Sequence, residues 1–243
     1  MTDEQLTSLT RKPDRGGDRA LLDEVLDEAL VGVLSTVTDD GQPWSVPMLA
    51  ARDGDRLLIH GSTGAGALRH VAAGRPATFT AFIVDGLVVA DTLFDHSVNY
   101  RSVVVRGTLS PVADDDAARA LDAFSDAVLP GRSAEVRDHT RKELSATAIL
   151  QLPIVDGQWL CKARAGGPGD DTAQGWTGHV PMRVVYDEPV VEHDGELPGS
   201  VAGLGKGLLG ERGMGGVGAL QDPDGDEVDQ QAEDGDHRED QQG

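Results

Sequence analysis

The run Leu57-Leu58-Ile59-His60-Gly61-Ser62-Thr63-Gly64-Ala65-Gly66-Ala67-Leu68-Arg69-His70 passes from an apolar stretch, through a glycine-punctuated turn, into a helix start. This is the grammar of an anion cradle. Gly61, Gly64 and Gly66 allow close backbone approach, Ser62 and Thr63 bring hydroxyls, and the free N–H groups of a helix start attract phosphate. The same turn also occurs between strand and helix with no ligand at all. His60 stands at the mouth of the turn, where its imidazole either hydrogen-bonds a ring or phosphate or caps the turn backbone.

A second candidate group is Tyr100-Arg101-Ser102, at the head of a β-branched run. Strand alternation sends Tyr100 and Ser102 to one face and Arg101 to the other. Arg101 is then either an anion ligand at a barrel mouth or a solvated charge. Other chemistries lack their residues. No His-x-x-His or His-Glu-x-x-His pair is present, and no metal site is expected. No Gly-x-Ser-x-Gly elbow exists, no Lys follows the glycine turn as in a nucleotide-triphosphate loop, and no Gly-x-Gly-x-x-Gly follows an N-terminal strand.

Composition narrows the classes further. The chain has 243 residues, with 21 Lys plus Arg against 42 Asp plus Glu, a net charge of −21. That balance argues against a nucleic-acid or anionic-membrane surface. Cys161 is the only cysteine, which excludes an intramolecular disulfide or a CxxC site and fits a reducing compartment. The first 20 residues are charged throughout, and no apolar run approaches a bilayer span, so a cytoplasmic protein is expected.

The elements that must carry these residues follow from periodicity. Asp18 to Leu30 places Leu22, Val25, Leu26 and Ala29 at helical spacing. Val31–Val37, Trp44–Ala51 and Leu57–His60 read as three antiparallel strands joined at Asp40-Gly41 and Asp53-Gly54, a β-meander. Ala67–Ala73 is a short helix stopped by Gly74. Ala77–Val84 and Leu87–Leu93 read as strands joined across Asp85-Gly86, and the run to Leu109 as a central strand. Asp114–Leu129 is a helix with acids in its first turn, and Ala134–Leu144 a further one. Ala146–Pro153 and Trp159–Arg164 read as strands, with a last strand or turn element within Gly175–Tyr186.

Strands thus come in unbroken runs rather than alternating with helices, which predicts a mainly β fold, a β-barrel with peripheral helices. Residues 1–17 read as an N-terminal extension and 18–196 as the folded domain. Residues 197–243 hold 12 glycines, 11 acids against three basic residues, and no aromatic residue, and read as a disordered Gly-rich acidic tail. Val201–Leu220, rich in Gly and Leu, is alternatively a partner-binding patch.

Several separated motifs then occur in a familiar order: His60-Gly-Ser-Thr-Gly, His96-Ser-Val-Asn-Tyr100-Arg101-Ser102-Val-Val-Val with Gly107, Pro130-Gly-Arg132, Lys142-Glu-Leu144, Lys162 with Arg164, and Trp176-Thr-Gly178-His-Val-Pro181. From about Arg15 to Pro189 the chain resembles the pyridoxamine 5′-phosphate oxidase-like, FMN-binding split-barrel proteins, in the branch of flavin-nucleotide-binding and nitroimidazole-resistance proteins. The resemblance implies a homodimer with FMN in a cleft between subunits. It would place Pro47, Met48 and Leu49 along the isoalloxazine edge through backbone groups. His60, Gly61, Ser62 and Thr63 would meet the flavin or its phosphate, Tyr100, Arg101 and Ser102 would close the phosphate end, and Lys162 and Trp176 would approach from the later part of the chain.

The implied activity is that of an FMN-dependent oxidoreductase acting on a small molecule, with His60 the candidate catalytic residue. The alternatives are a flavin-binding module without turnover and a haem- or deazaflavin-using relative. One departure stands out: related sequences place a basic residue where this chain has Ala65-Gly66-Ala67. Its absence removes a charge-assisted phosphate contact of about 1.5–3 kcal/mol.

Overall fold

The computed structural model describes residues 15–169 and 173–210. Helix α1 (Arg19–Glu28) starts where the Asp18 carboxylate accepts the Leu21 N–H at 3.1 Å, and it buries Leu22, Val25 and Leu26. The strands follow as β1 (Val31–Val37), β2 (Pro43–Leu49), β3 (Ala51–Asp53) and β4 (Arg56–Ser62). Then come α2 (Gly66–Ala72), β5 (Pro76–Val89), β6 (Ser97–Thr108), β7 (Ser110–Pro111) and α3 (Ala117–Val128). A 3₁₀ turn at Ser133–Glu135 and α4 (Arg141–Ala146) lead to β8 (Thr147–Pro153), β9 (Trp159–Arg164), β10 (Gly178–Pro181) and α5 (Gly199–Gly210).

These strands form two sheets, not one meander. The first runs β2-β1-β5-β6-β9, with β10 added to β5, and the second runs β3-β4-β8-β7. The opening strands therefore part company: β1 and β2 form a hairpin, whereas β4 leaves them to pair with β8, Leu58 opposite Gln151 and His60 opposite Ile149. The two sheets enclose one core of Leu34, Leu57, Ile59, Phe79, Val103, Val105 and Leu152, capped by the apolar face of α1. A second cluster lies outside the second sheet, where Ala120, Leu121 and Phe124 of α3 cover Leu58 and Ile149. The result is a split barrel with peripheral helices.

Three further expectations are corrected. The Asp85-Gly86 dipeptide is a bulge and not a hairpin, because β5 continues through it and both halves pair with β6. Gly41 and Gly54, which do close hairpins, have φ of 82° and 61°. Gly86 serves a different need: a Cβ there would lie 2.7 Å from the Val180 carbonyl of β10. The helix expected over Ala134–Leu144 is replaced by the 3₁₀ turn and by α4, which begins at a capping box between Thr140 and Glu143. The tail boundary at 196 also moves, since α5 follows and Ser200 is buried against the chain, its N–H and hydroxyl both donating to Glu135. The expectations for residues 1–14 and 211–243 lie outside the described residues.

Close packing at the barrel centre gives a direct test. A Cβ on Gly32 would fall 2.2 Å from Phe79 and 2.7 Å from the Thr80 carbonyl, whereas one on Gly66 meets nothing within 4 Å. Gly32→Ala should destabilise the protein by about 3 kcal/mol through overpacking, and Gly66→Ala should be neutral or gain up to about 1 kcal/mol. Denaturant unfolding of the two variants checks both signs.

Candidate functional site

Alternation divides each strand of the first sheet between the core and the outside. Leu34, Phe79, Ala81, Val103, Val105 and Cys161 point inward. Their neighbours form an outer face whose rows are set by register: Pro47–Val33–Thr80–Val104–Leu160 in the middle, Ser45–Ser35–Thr78–Arg106 on one side, and Phe82–Ser102–Lys162 and Val84–Tyr100–Arg164 on the other. Beyond the bulge, Val180–Leu87–Val98 extends it. Much of it is exposed and apolar, with Phe82 at 62% the extreme. The strand positions of this face carry Arg106, Lys162 and Arg164 and not one carboxylate, in a chain of net charge −21.

Five of the expected site residues, Pro47, Leu49, Tyr100, Ser102 and Lys162, share this outer face. Met48 lies on the core side, opposite Gly32 and packed against the barrel interior. Strand β2 is the terminal strand of its sheet and pairs only with β1 among the described residues, so one edge of its backbone is open where it approaches β4. Just past β4, Ser62 and Thr63 are exposed, and the turn is set by Ser62 accepting from Gly64 and Ala65 and by Thr63 N–H donating to Ala146. A Cβ on Gly61 would sit 2.7 Å from the end of the Leu68 side chain of α2. Beside Gly66, a hollow of about 250 Å³ is lined by Trp44, Thr36 and His70. Trp176 is 67% exposed and rests against Gly178.

Arg101 has a different task from phosphate binding. It lies on the core side of β6, 17% exposed, and each of its five N–H groups meets a carboxylate. Nε and Nη2 donate to Asp85, Nη1 to Glu24 and Glu28 at 2.7 Å each, and Nη2 also to Glu28 at 3.1 Å. The hydrogen bonds to Asp85, followed by those to Glu28, hold its pKa well above the ordinary arginine value. No N–H remains for a phosphate in this arrangement. The residue joins α1, the β5 bulge and β6.

His60 faces α3, its ring centroid 4.2 Å from that of Phe124, and burial lowers its pKa below the ordinary 6.5. A half-buried imidazole of this kind is neutral near pH 7, which suits it to packing or hydrogen bonding and not to anion pairing. Arg106 was not singled out by the sequence, although it lies at even spacing from Ser102. Its Nε is buried without a hydrogen-bond partner. Among the described residues no cluster of three His, Cys, Asp or Glu side chains could hold a metal ion, and no helix is long and apolar enough to cross a membrane.

The fold is that of an open-edged split barrel with a glycine turn beside the open edge. The particular family follows from comparison: the family model described as Pyridoxamine 5′-phosphate oxidase matches residues 18–158, and the chain belongs to that family. It is similar to the FAD and heme binding protein from Mycobacterium smegmatis, with a TM-score of 0.76 and 40% identity over 79% of this chain and 97% of that one. It is also similar to the flavocytochrome Anf3 from Azotobacter vinelandii, with a TM-score of 0.71 and 27% identity over 80% and 94%. A candidate 5-nitroimidazole antibiotic resistance protein from Bacteroides thetaiotaomicron shares the fold, at 18% identity and a TM-score of 0.52 over 60% and 84%. No curated protein matches.

Two measurements follow from the electrostatics. Arg101→Met should cost about 2 kcal/mol, since it leaves three carboxylates facing one another, and Arg101→Lys should not restore the loss, because an ammonium cannot fork to all of them. For His60 the depressed folded pKa means that the unfolded chain takes up a proton first. Stability should therefore fall as pH drops below 6.5, by at most about 1.4 kcal/mol per pH unit, until the folded pKa is passed. His60→Leu should show a shallower loss between pH 7 and pH 5 in thermal unfolding.

Proposed function

We propose that the chain binds a flavin nucleotide along the open edge of β2, as one half of a homodimer. The observation that carries this reading is that edge itself: unpaired backbone beside Pro47, Met48 and Leu49, next to the exposed Ser62–Gly66 turn. Flavin rings offer alternating donors and acceptors along one side, which an edge strand can match. The hydroxyls of Ser62 and Thr63 and the open space at Gly66 suit a phosphate group. The outer face of the other copy, with Tyr100, Ser102, Lys162 and Arg106, would close the cleft with apolar surface and positive charge.

The flavin, once bound, supplies hydride or single-electron transfer, and the protein orients it and limits water. The reading is therefore an oxidoreductase with a small-molecule substrate in which few side chains do chemistry. FAD is preferred over FMN, because the relative that is 40% identical is described by FAD. The names of two of these relatives, the FAD and heme binding protein and the flavocytochrome, favour haem as a second cofactor. Of the exposed imidazoles among the described residues, His96, His179 and His193, the one on a strand is His179 of β10, which would hold the haem iron.

Visible spectroscopy of the purified protein, with release and mass analysis of any pigment, tests the assignment. Flavin bands with FAD released support it, and a colourless protein that binds neither FAD nor FMN overturns it. Lys162→Ala should weaken FAD and FMN by about tenfold and riboflavin little, because riboflavin lacks the phosphate. His179→Ala should remove a Soret band while leaving the flavin in place.

A further inference from the structure

Residues 182–197 link β10 to α5. Every residue from His179 to Leu197 is exposed, yet the stretch carries Val184, Val185, Tyr186, Val190 and Val191, with Val190 at 92%. It has no regular secondary structure between β10 and α5. It is nevertheless held at both ends. Met182 N–H donates to the Asp85 carbonyl at 2.8 Å, and Ser200 docks on Glu135 through its N–H and hydroxyl. A segment pinned at both ends, apolar and bare in the middle, has a surface that its own protomer does not cover.

We infer that this strap lies across the outer face of the first sheet of a second copy of the chain. Two features of the molecule choose that occupant. The strap has five carboxylates against one arginine, while the outer face has three cations and no carboxylate among its strand positions. In a protein of net charge −21, that face is where an acidic segment is not repelled. The strap also leaves from the edge of its own copy's outer face, at β10, whose Val180 stands in the same row as Leu87 and Val98, so a pair that brings these faces together carries each strap to its partner's face. At about 3.3 Å per residue, the strap has an extended contour of about 50 Å between its anchors. The strap lies beyond residues 18–158, the part matched by the family model. This inference rests on the two-copy reading given above and adds the element that clasps the pair.

The test uses the full chain with Val184, Val185, Val190 and Val191 all changed to Ser. These side chains are exposed in the protomer, so unfolding at concentrations where both proteins are monomeric should remain as in the wild type, while the dimer dissociation constant, from sedimentation velocity, rises at least about 100-fold. In parallel, benzoylphenylalanine placed at position 190 is photolysed in a mixture of isotope-labelled and unlabelled chains. Cross-links joining differently labelled copies, at peptides of β1, β2, β5, β6 or β9, support the strap. A wild-type dimer whose dissociation constant is unchanged by the four serines, or cross-links confined to one copy, overturns the strap and leaves the dimer. A wild-type chain that stays monomeric overturns both the strap and the two-copy reading, whereas absence of flavin in a strapped dimer overturns only the cofactor assignment.

Discussion

The five N–H groups of Arg101 fix how the barrel is closed at one end. Asp85 sits at the β5 bulge and Glu24 and Glu28 on α1, so a single guanidinium joins two strands to the helix that caps the core. Three carboxylates around one cation would repel strongly without it. With it, the amphipathic helix is held in one orientation, Leu22 and Val25 inward and the acids toward β6. Turning Arg101 to the core side also turns Tyr100 and Ser102 outward, because strand alternation admits no other choice. The ion cluster and the composition of the outer face are thus two consequences of one register.

The split between the sheets follows from packing. Strand β4 is apolar on both sides, Leu57 and Ile59 toward the barrel and Leu58 toward α3, so it needs cover on two faces. It finds that cover by pairing with β8 and receiving α3, which leaves β2 as the end of its sheet. An exposed strand edge is a hazard for association unless something occupies it. Here the open edge runs beside a turn of small and hydroxyl residues, where the proposed flavin nucleotide would lie.

Local signals were legible in the sequence, and contacts distant in the chain were not. The β1–β2 and β3–β4 hairpins, α1, α3 and the boundaries of β8 and β9 follow from period and turn chemistry. Asp85-Gly86 has the same dipeptide as the true hairpins, and only the approach of the Val180 carbonyl from β10 distinguishes it. Helix α5 was hidden by glycine content, and its Ser200 docks on Glu135 across 65 residues. The parity of Tyr100, Arg101 and Ser102 was readable, whereas the carboxylates that occupy Arg101 come from residues up to 77 positions away. Arg106 could have been found by carrying the same alternation four residues further.

Charge distribution joins these observations. An excess of acids spread over a surface opposes both self-association and the binding of anionic cofactors. The chain meets that constraint by keeping carboxylates out of one sheet face while using them elsewhere in ion pairs, as in the Arg56–Asp53–Asp116–Arg119 group that ties α3 to the second sheet. A face without carboxylates at its strand positions is then where the proposed acidic strap would meet the least repulsion, and the strap would add apolar contact to the charge it brings. The positive residues at Arg106, Lys162 and Arg164 need not be numerous for this, because attraction there is set by contrast with the surrounding surface and is strongest where water is excluded.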